Sequence, residues 1–197
     1  MKYEEQTTNR TMFLSLTSLH PEEFDYLLKH FTPIWDAYYR HYTTEGSKRK
    51  ILMFKEHKSA KLQGTAQKLF FLLVYLKMNS LQSFQGAVFG ISQSKVSKIA
   101  AILLNILDQS LHKMNLAPSR NGAELQILLK DHATKIFTYD GMERDIQRNT
   151  AIDAQEIDYS GKKKHKLKNN LLCDDTQYVH YLSPTESGSM HDKKIAE

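Results

Sequence analysis

The sequence predicts an α+β protein, helical through residue 117 and strand-rich from residue 118 onward. Two observations carry this reading. Apolar residues recur at i, i+3, i+4 and i+7 in successive windows between Pro21 and Leu111, the period of amphipathic helices. Past the break at Pro118-Ser119-Arg120-Asn121-Gly122, short apolar and β-branched runs bounded by Asp-Gly and Asp-Asp-Thr replace that period.

The first long helix opens at Pro21, because proline suits the first turn and Glu22 and Glu23 suit the positive end of the helix. Phe24, Leu27, Leu28 and Phe31 form its stripe, and Pro33 is expected to interrupt it. Trp35, Tyr38, Tyr39 and Tyr42 continue at the same spacing; they fit a packing stripe, and less well a platform for stacking bases. Thr43 to Gly64 is polar and basic and reads as a linker with at most a short helix. From Ala66 to Met78 the apolar density predicts a helix buried on most sides.

Residues 81–111 are the most informative stretch of this half. Leu81 to Phe89 reads as a short helix with Phe84, Ala87 and Val88 inward. Gly90 ends it, since the left-handed conformation costs glycine little. Ser92 caps a longer helix whose Val96, Ile99, Ala100, Leu103 and Leu107 share one side. Ser94, Lys95, Ser97 and Lys98 fall on the other side, and Gln93 stands in the same turn. A short helix, a glycine turn and a long helix with a polar, basic start match a helix-turn-helix, whose second helix enters the major groove. Serine and lysine there can donate to phosphates and base acceptors, and Gln93 could read adenine. An ordinary helical hairpin with a polar face is the alternative.

Beyond the break, Glu124 to Lys130 reads as one short helix, and Ile136 to Gly141 as a buried strand closed by a turn. Lys166 to Cys173 and Gln177 to Leu182 read as two strands joined at Asp174-Asp175-Thr176. Ser187-Gly188-Ser189 is a loop, and Met190 to Glu197 begins a helix. Three domains follow: a helical region and linker (1–62), a helix-turn-helix (63–117) and a strand-rich domain (118–197).

Composition narrows the function classes. Of 197 residues, 41% are hydrophobic and 25% charged, ordinary globular usage. The longest apolar run, Leu69 to Leu76, is too short to cross a bilayer, and no apolar stretch follows the N-terminus, so an intracellular, nucleoid-associated location with no membrane partner is expected. Cys173 is the sole cysteine, which excludes an internal disulfide. Glu156 and Lys163 stand where a Walker loop needs glycine and serine or threonine, and the nine histidines form no His-x-x-x-His. The net charge of +5 is modest but clustered. Lys162, Lys163, Lys164, Lys166 and Lys168 form one basic stretch, and Lys48-Arg49-Lys50 with Lys55, Lys58 and Lys61 another. Each fits a phosphate-backbone contact or a solvated lysine face. Asp140 closes the expected strand before Gly141, where a carboxylate is a hard ligand suited to Mg²⁺ or Mn²⁺; on spacing alone a plain Asp-Gly turn explains it better.

Several of these segments carry a family resemblance. Tyr139-Asp140-Gly141-Met142-Glu143-Arg144, then Gln147-Arg148, then Tyr159-Ser160-Gly161 with the lysines after it, resembles the opening of the catalytic domain of DDE transposases of the Harbinger-like and bacterial insertion-sequence group. Ser187-Gly188-Ser189-Met190-His191-Asp192 resembles the Gly-Ser-x-His-Asp element of that family. Gln63 to Leu111, with Phe89-Gly90-Ile91-Ser92-Gln93-Ser94-Lys95-Val96-Ser97, is similar to its helix-turn-helix. The resemblance covers about two-thirds of the chain. It implies an RNase H-like mixed sheet, incomplete here, with Asp140 as the first metal-binding, catalytic aspartate.

Departures accompany it. Met142 stands where the family often has threonine, and Asp145 and Asn149 where it has prolines. No second Asp-x-Gly-Tyr-like element or later catalytic glutamate occurs before Glu197, so the reading expects a C-terminally incomplete transposase. Asp192 is a weak substitute, because its element belongs to the preceding helix. The resemblance implies transposon-end duplex DNA as partner, and admits a homo-oligomer or a second reading-frame product. The rival reading is a non-catalytic DNA-binding regulator derived from a transposon.

Overall fold

A computed structural model describes residues 1–131, 136–160 and 164–191. The chain forms two compact units, residues 1–116 and 117–197.

The first unit is built from α1 (Tyr3–Gln6), α2 (Arg10–Thr17), α3 (Pro21–His41), α4 (Thr65–Met78), α5 (Gln82–Phe89) and α6 (Gln93–Lys113). The N-terminal helices and the helix-turn-helix share one core. Eight consecutive residues of α4, Gln67 to Val74, are buried, as the all-round apolar pattern predicts. Around it Phe13, Phe24 and Phe70 interlock with Tyr3, ring centroids 5.0–6.1 Å apart.

Pro33 does not break its helix: α3 runs unbroken from Pro21 to His41. The expectation fails because the proline faces solvent, where the carbonyl it leaves unbonded can be hydrated. Phe31 on one side of it, and Ile34 and Trp35 on the other, are buried in the core. Burying side chains of that size contributes about 1.5–3 kcal/mol each, against roughly 3 kcal/mol for an interior proline. The aromatic stripe packs, with Trp35 buried and its ring stacked on Tyr39 at 5.7 Å.

Residues 43–64 contain no helix, yet they are anchored as a strap. The Trp35 indole N–H donates to Glu56 at 3.2 Å, and the Lys68 ammonium pairs with Glu56 at 2.5 Å. Lys68 also donates to the carbonyls of Leu62 (2.6 Å) and Gly64 (3.2 Å) and lies 4.9 Å from the Trp35 ring centre. Burial pushes the Lys68 amine below its ordinary pKa, and the hydrogen bond and charge of Glu56 oppose that shift.

The second unit contains α7 (Gly122–Asp131), β1 (Phe137–Asp145), α8 (Ile152–Asp158), β2 (Lys166–Asp174), β3 (Val179–Leu182) and β4 (Glu186–Ser187). Its strands pair in the order β1-β2-β3, with β4 also on β2. All these pairings are antiparallel where a mixed sheet is expected. The strand expected to be buried and to end at Asp140-Gly141 is neither. β1 pairs with β2 over nine residues, from Phe137 opposite Asp174 to Asp145 opposite Lys166, and most of it is exposed. Continuous pairing carries the strand straight through Gly141, so Asp140 lies in mid-strand opposite Leu171. The helix expected from Met190 to Glu197 falls mostly outside the described residues.

Among the described residues, Leu172 is the single buried hydrophobic side chain of this unit. Polar groups take the place of a core. The Asn169 amide donates to the carbonyls of Ser183 (2.9 Å) and Pro184 (3.0 Å), and the Asn170 N–H donates to the Ser183 hydroxyl at 2.8 Å. Leu167, Leu171 and Val179 are only half-buried. With so little apolar area removed from water, amides of β1–β3 should exchange with solvent faster than those of α3, α4 and α6. Hydrogen exchange followed by mass spectrometry checks this, and equal protection in both units would contradict it.

Candidate nucleic-acid interface

The turn between α5 and α6 is fixed by two glycines. Gly90 adopts φ +68°, and its N–H and that of Ile91 bond back to carbonyls of α5, closing the helix. Gly86 lies so close to the turn that a Cβ there would meet the Ile91 carbonyl oxygen at 2.5 Å. This close approach sets the phase of α5 and corrects the expected inward face in part: Val88 packs against the core as expected, whereas Phe84 and Ala87 do not. Gln85, Gly86 and Phe89 are buried, while Phe84 is 62% exposed and Ala87 also faces solvent. The buried Gln85 donates to the Phe71 carbonyl of α4 at 3.0 Å, a polar tie that apolar periodicity cannot reveal.

The two helices meet at 95°, the geometry of a helix-turn-helix. Ser92 caps α6, its hydroxyl accepting from the Lys95 N–H at 3.4 Å. Val96, Ile99, Ala100, Leu103 and Leu107 are buried as predicted, and Ile106 and Ser110 join them. Gln93, Ser94, Lys95, Ser97 and Lys98 are all exposed. The first turns of α6 therefore present two hydroxyls, two ammonium groups and an amide to solvent. The Gln93 amide donates to Gln82 Oε1 at 2.8 Å, and Lys98 lies 3.5 Å from Glu45 of the strap.

The basic stretch of the second unit has a different setting. Lys164 pairs with Asp145 at 2.8 Å, Lys166 with Glu143, and Lys168 lies 3.8 Å from Glu143 while donating to the Met190 carbonyl. Bonding to Glu143 raises the Lys166 pKa, and the Lys164 hydrogen bond lowers that of Asp145. Acids of β1 thus face the lysines beside and on β2. Lys162, Lys163 and Asp192 lie outside the described residues.

Asp140 is exposed, and its carboxylate accepts from the Gly141 N–H at 2.7 Å. Among the described residues, no group of three His, Cys, Asp or Glu side chains is arranged to hold a metal ion. Asp174 is the best-coordinated carboxylate of the unit. It accepts from the Thr176 hydroxyl and the N–H groups of Thr176 and Tyr178, and pairs with His180 at 2.8 Å. It clamps the β2–β3 turn.

Residues 60–113 match a family model described as the helix-turn-helix of DDE superfamily endonuclease. No curated protein and no solved structure matches the chain. The matched segment takes in α4, α5 and α6, so it includes the exposed turns described above, and these three helices are similar to the helix-turn-helix that the family model describes. Among the described residues, no single helix is long and apolar enough to cross a membrane.

Replacing Lys95 and Lys98 with alanine should weaken duplex binding and lower the salt slope by about one unit for each phosphate left unneutralised, read from a titration across salt concentrations. An unchanged slope would place the phosphate-binding groups elsewhere.

A separate outcome concerns acid. The Thr176 hydroxyl and His180 hold the Asp174 carboxyl well below its ordinary value of 3.8. The folded turn then binds fewer protons than the unfolded chain as pH falls through that range. The stabilisation is complete above 3.8 and lost progressively below it. Amide signals of Thr176 and Tyr178 should lose protection below that pH, and Asp174→Asn should remove the acid step while loosening the turn at neutral pH.

Proposed function

We propose that this protein binds transposon-end duplex DNA through its helix-turn-helix, with Ser94, Lys95, Ser97 and Lys98 facing the major groove. The observation that supports this best is the exposed polar and basic first turns of α6, set at 95° to α5 within the segment that matches the family model. Serine hydroxyls and lysine ammonium groups donate to base acceptors and to phosphates alike. Gln93 joins them by exchanging its bond with Gln82 for one to a base edge.

The resemblance further suggests that the second unit is the opening of an RNase H-like endonuclease domain, with Asp140 its first carboxylate toward Mg²⁺ or Mn²⁺. The carboxylates of the described residues do not fit a two-metal centre. Such a centre needs carboxylates on both ions, held about 3.5–4 Å apart. Asp140 stands on an exposed mid-strand position, outside any cluster of three potential ligands among the described residues. This favours the second reading, a transposon-derived protein that binds DNA without cutting it.

The purified chain should therefore shift a duplex in a salt-dependent manner and leave it intact with Mg²⁺ or Mn²⁺, and Asp140→Ala should change neither property. Gel mobility and nicking assays on transposon-end duplexes check both. Nicking that disappears in Asp140→Ala would restore the endonuclease reading, and absent duplex binding would remove the DNA-binding one.

A further inference from the structure

The strap between α3 and α4 carries more positive charge than any other exposed segment of the first unit. From Ser47 to Lys61 it holds Lys48, Arg49, Lys50, Lys55, Lys58 and Lys61, against Glu56 alone. Glu56 is turned inward, where its Oε1 meets Lys68 and Trp35 and its Oε2 accepts from the Gly64 N–H at 3.0 Å. Arg49 is occupied in holding the strap down, donating to the Tyr39 and Tyr42 carbonyls at 3.0 Å. Its guanidinium lies 4.5 Å from the Tyr39 ring centre. The five lysines are exposed. From Ser47 to Lys61 the outward charge is therefore uniformly positive.

Between the lysines runs Ile51-Leu52-Met53-Phe54, four apolar residues in a row, all exposed. Ile51 is 80% and Phe54 70% accessible. Four consecutive apolar side chains left in water, unlike the singly exposed apolar residues elsewhere in this unit, mark a contact surface. Its rim selects the occupant. A second copy docking on the same patch would bring lysines against lysines. A polyanion with apolar surface between its charges, such as duplex DNA, fits both features: phosphates meet lysines and deoxyribose faces meet the apolar run.

The position of the strap agrees. Glu45, at its start, lies 3.5 Å from Lys98 of α6. A cavity of 360 Å³ is lined on one side by Arg49, His57 and Lys61 and on the other by Ile91, Lys95 and Ile99. The strap thus flanks the same helix end that faces the groove in the proposed function.

We propose that the strap, residues 47–61, is a second DNA-contacting element. Its lysines hold the phosphate backbone beside the recognition helix, and Ile51 and Phe54 rest on the sugar edge of the adjoining minor groove. This rests on the DNA-binding reading above and extends it from one helix to a two-point grip.

The test uses the full chain and a mixed-sequence duplex, followed by fluorescence anisotropy over a range of salt. Lys48→Ala, Lys50→Ala and Lys58→Ala combined should lower the salt slope by about 0.9 for each phosphate left unneutralised. Ile51→Ser with Phe54→Ser should weaken binding about tenfold at an unchanged slope, since no charge is removed. All five positions are exposed, and thermal melting with Trp35 fluorescence verifies that each variant keeps the native fold. A native chain that binds DNA, with strap variants matching it in slope and affinity, would overturn the strap inference alone. A native chain that ignores DNA would remove the proposed function and the inference with it. Apolar variants that instead abolish self-association, or binding to phosphatidylserine vesicles, while keeping DNA affinity would assign the run to a second copy or a lipid surface and overturn the inference.

Discussion

Burying the Lys68 ammonium is the constraint around which the first unit is arranged. Removing an isolated charge from water costs several kcal/mol unless it is matched at close range. The match comes from three directions: the Glu56 carboxylate, the Leu62 and Gly64 carbonyls, and the face of Trp35. Trp35 lies on α3, Glu56, Leu62 and Gly64 on the strap and Lys68 itself on α4, so satisfying one charge fixes all three together. Losing one partner of such a pair commonly costs about 3–5 kcal/mol, because the other charge stays buried and unmatched. The same arrangement withdraws Glu56, the one acid between Ser47 and Lys61, from the surface. Stability and surface charge are set by one contact.

The helix-turn-helix depends on a quieter constraint. The left-handed Gly90 turns the chain back and Gly86, lacking a side chain, lets the Ile91 carbonyl approach α5, and this closeness determines which way α5 is rotated. Gln85 then finds the Phe71 carbonyl, and Phe84 is turned out to solvent. The rotation is decided by where no side chain fits, and hydrophobicity follows. α6 is then held by its apolar stripe on one side, leaving its first polar turns to solvent.

This explains which parts of the fold were legible from residues alone. The capping serine, the left-handed Gly90, the buried stripe of α6 and the all-round burial of α4 each arise from local periodicity or local backbone chemistry, which a sequence displays directly. The face of α5 is decided by a steric approach between residues 86 and 91, and apolar counting places Val88 rightly but Phe84 and Ala87 wrongly. The continuity of α3 through Pro33 depends on core contacts on both sides of the proline. The anchored strap depends on Glu56 meeting Lys68 and Trp35, twelve and twenty-one residues distant along the chain. In the second unit, Asp-Gly reads as a turn, and only the nine-residue register with β2 reveals that the strand runs through it. The exposed Ile51–Phe54 run was present in plain view, but its exposure becomes informative only once the strap is known to be anchored around it.

The two basic stretches look equivalent as sequence and differ as chemistry. Beside and on β2, lysines stand across an antiparallel pair from Glu143 and Asp145, because the register places Lys166 opposite Asp145 and Lys168 opposite Glu143. Their fields are largely matched within the sheet, so a phosphate approaching them must compete with acids already in place. Between Ser47 and Lys61 the one acid is consumed by Lys68, and the lysines face water. Long-range attraction for a polyanion scales with unmatched charge rather than with the number of lysines. A strap of five solvent-facing lysines beside the exposed start of α6 therefore concentrates attraction where the helix can use it. The +5 of the whole chain understates this, since it averages a neutralised sheet with an unneutralised strap.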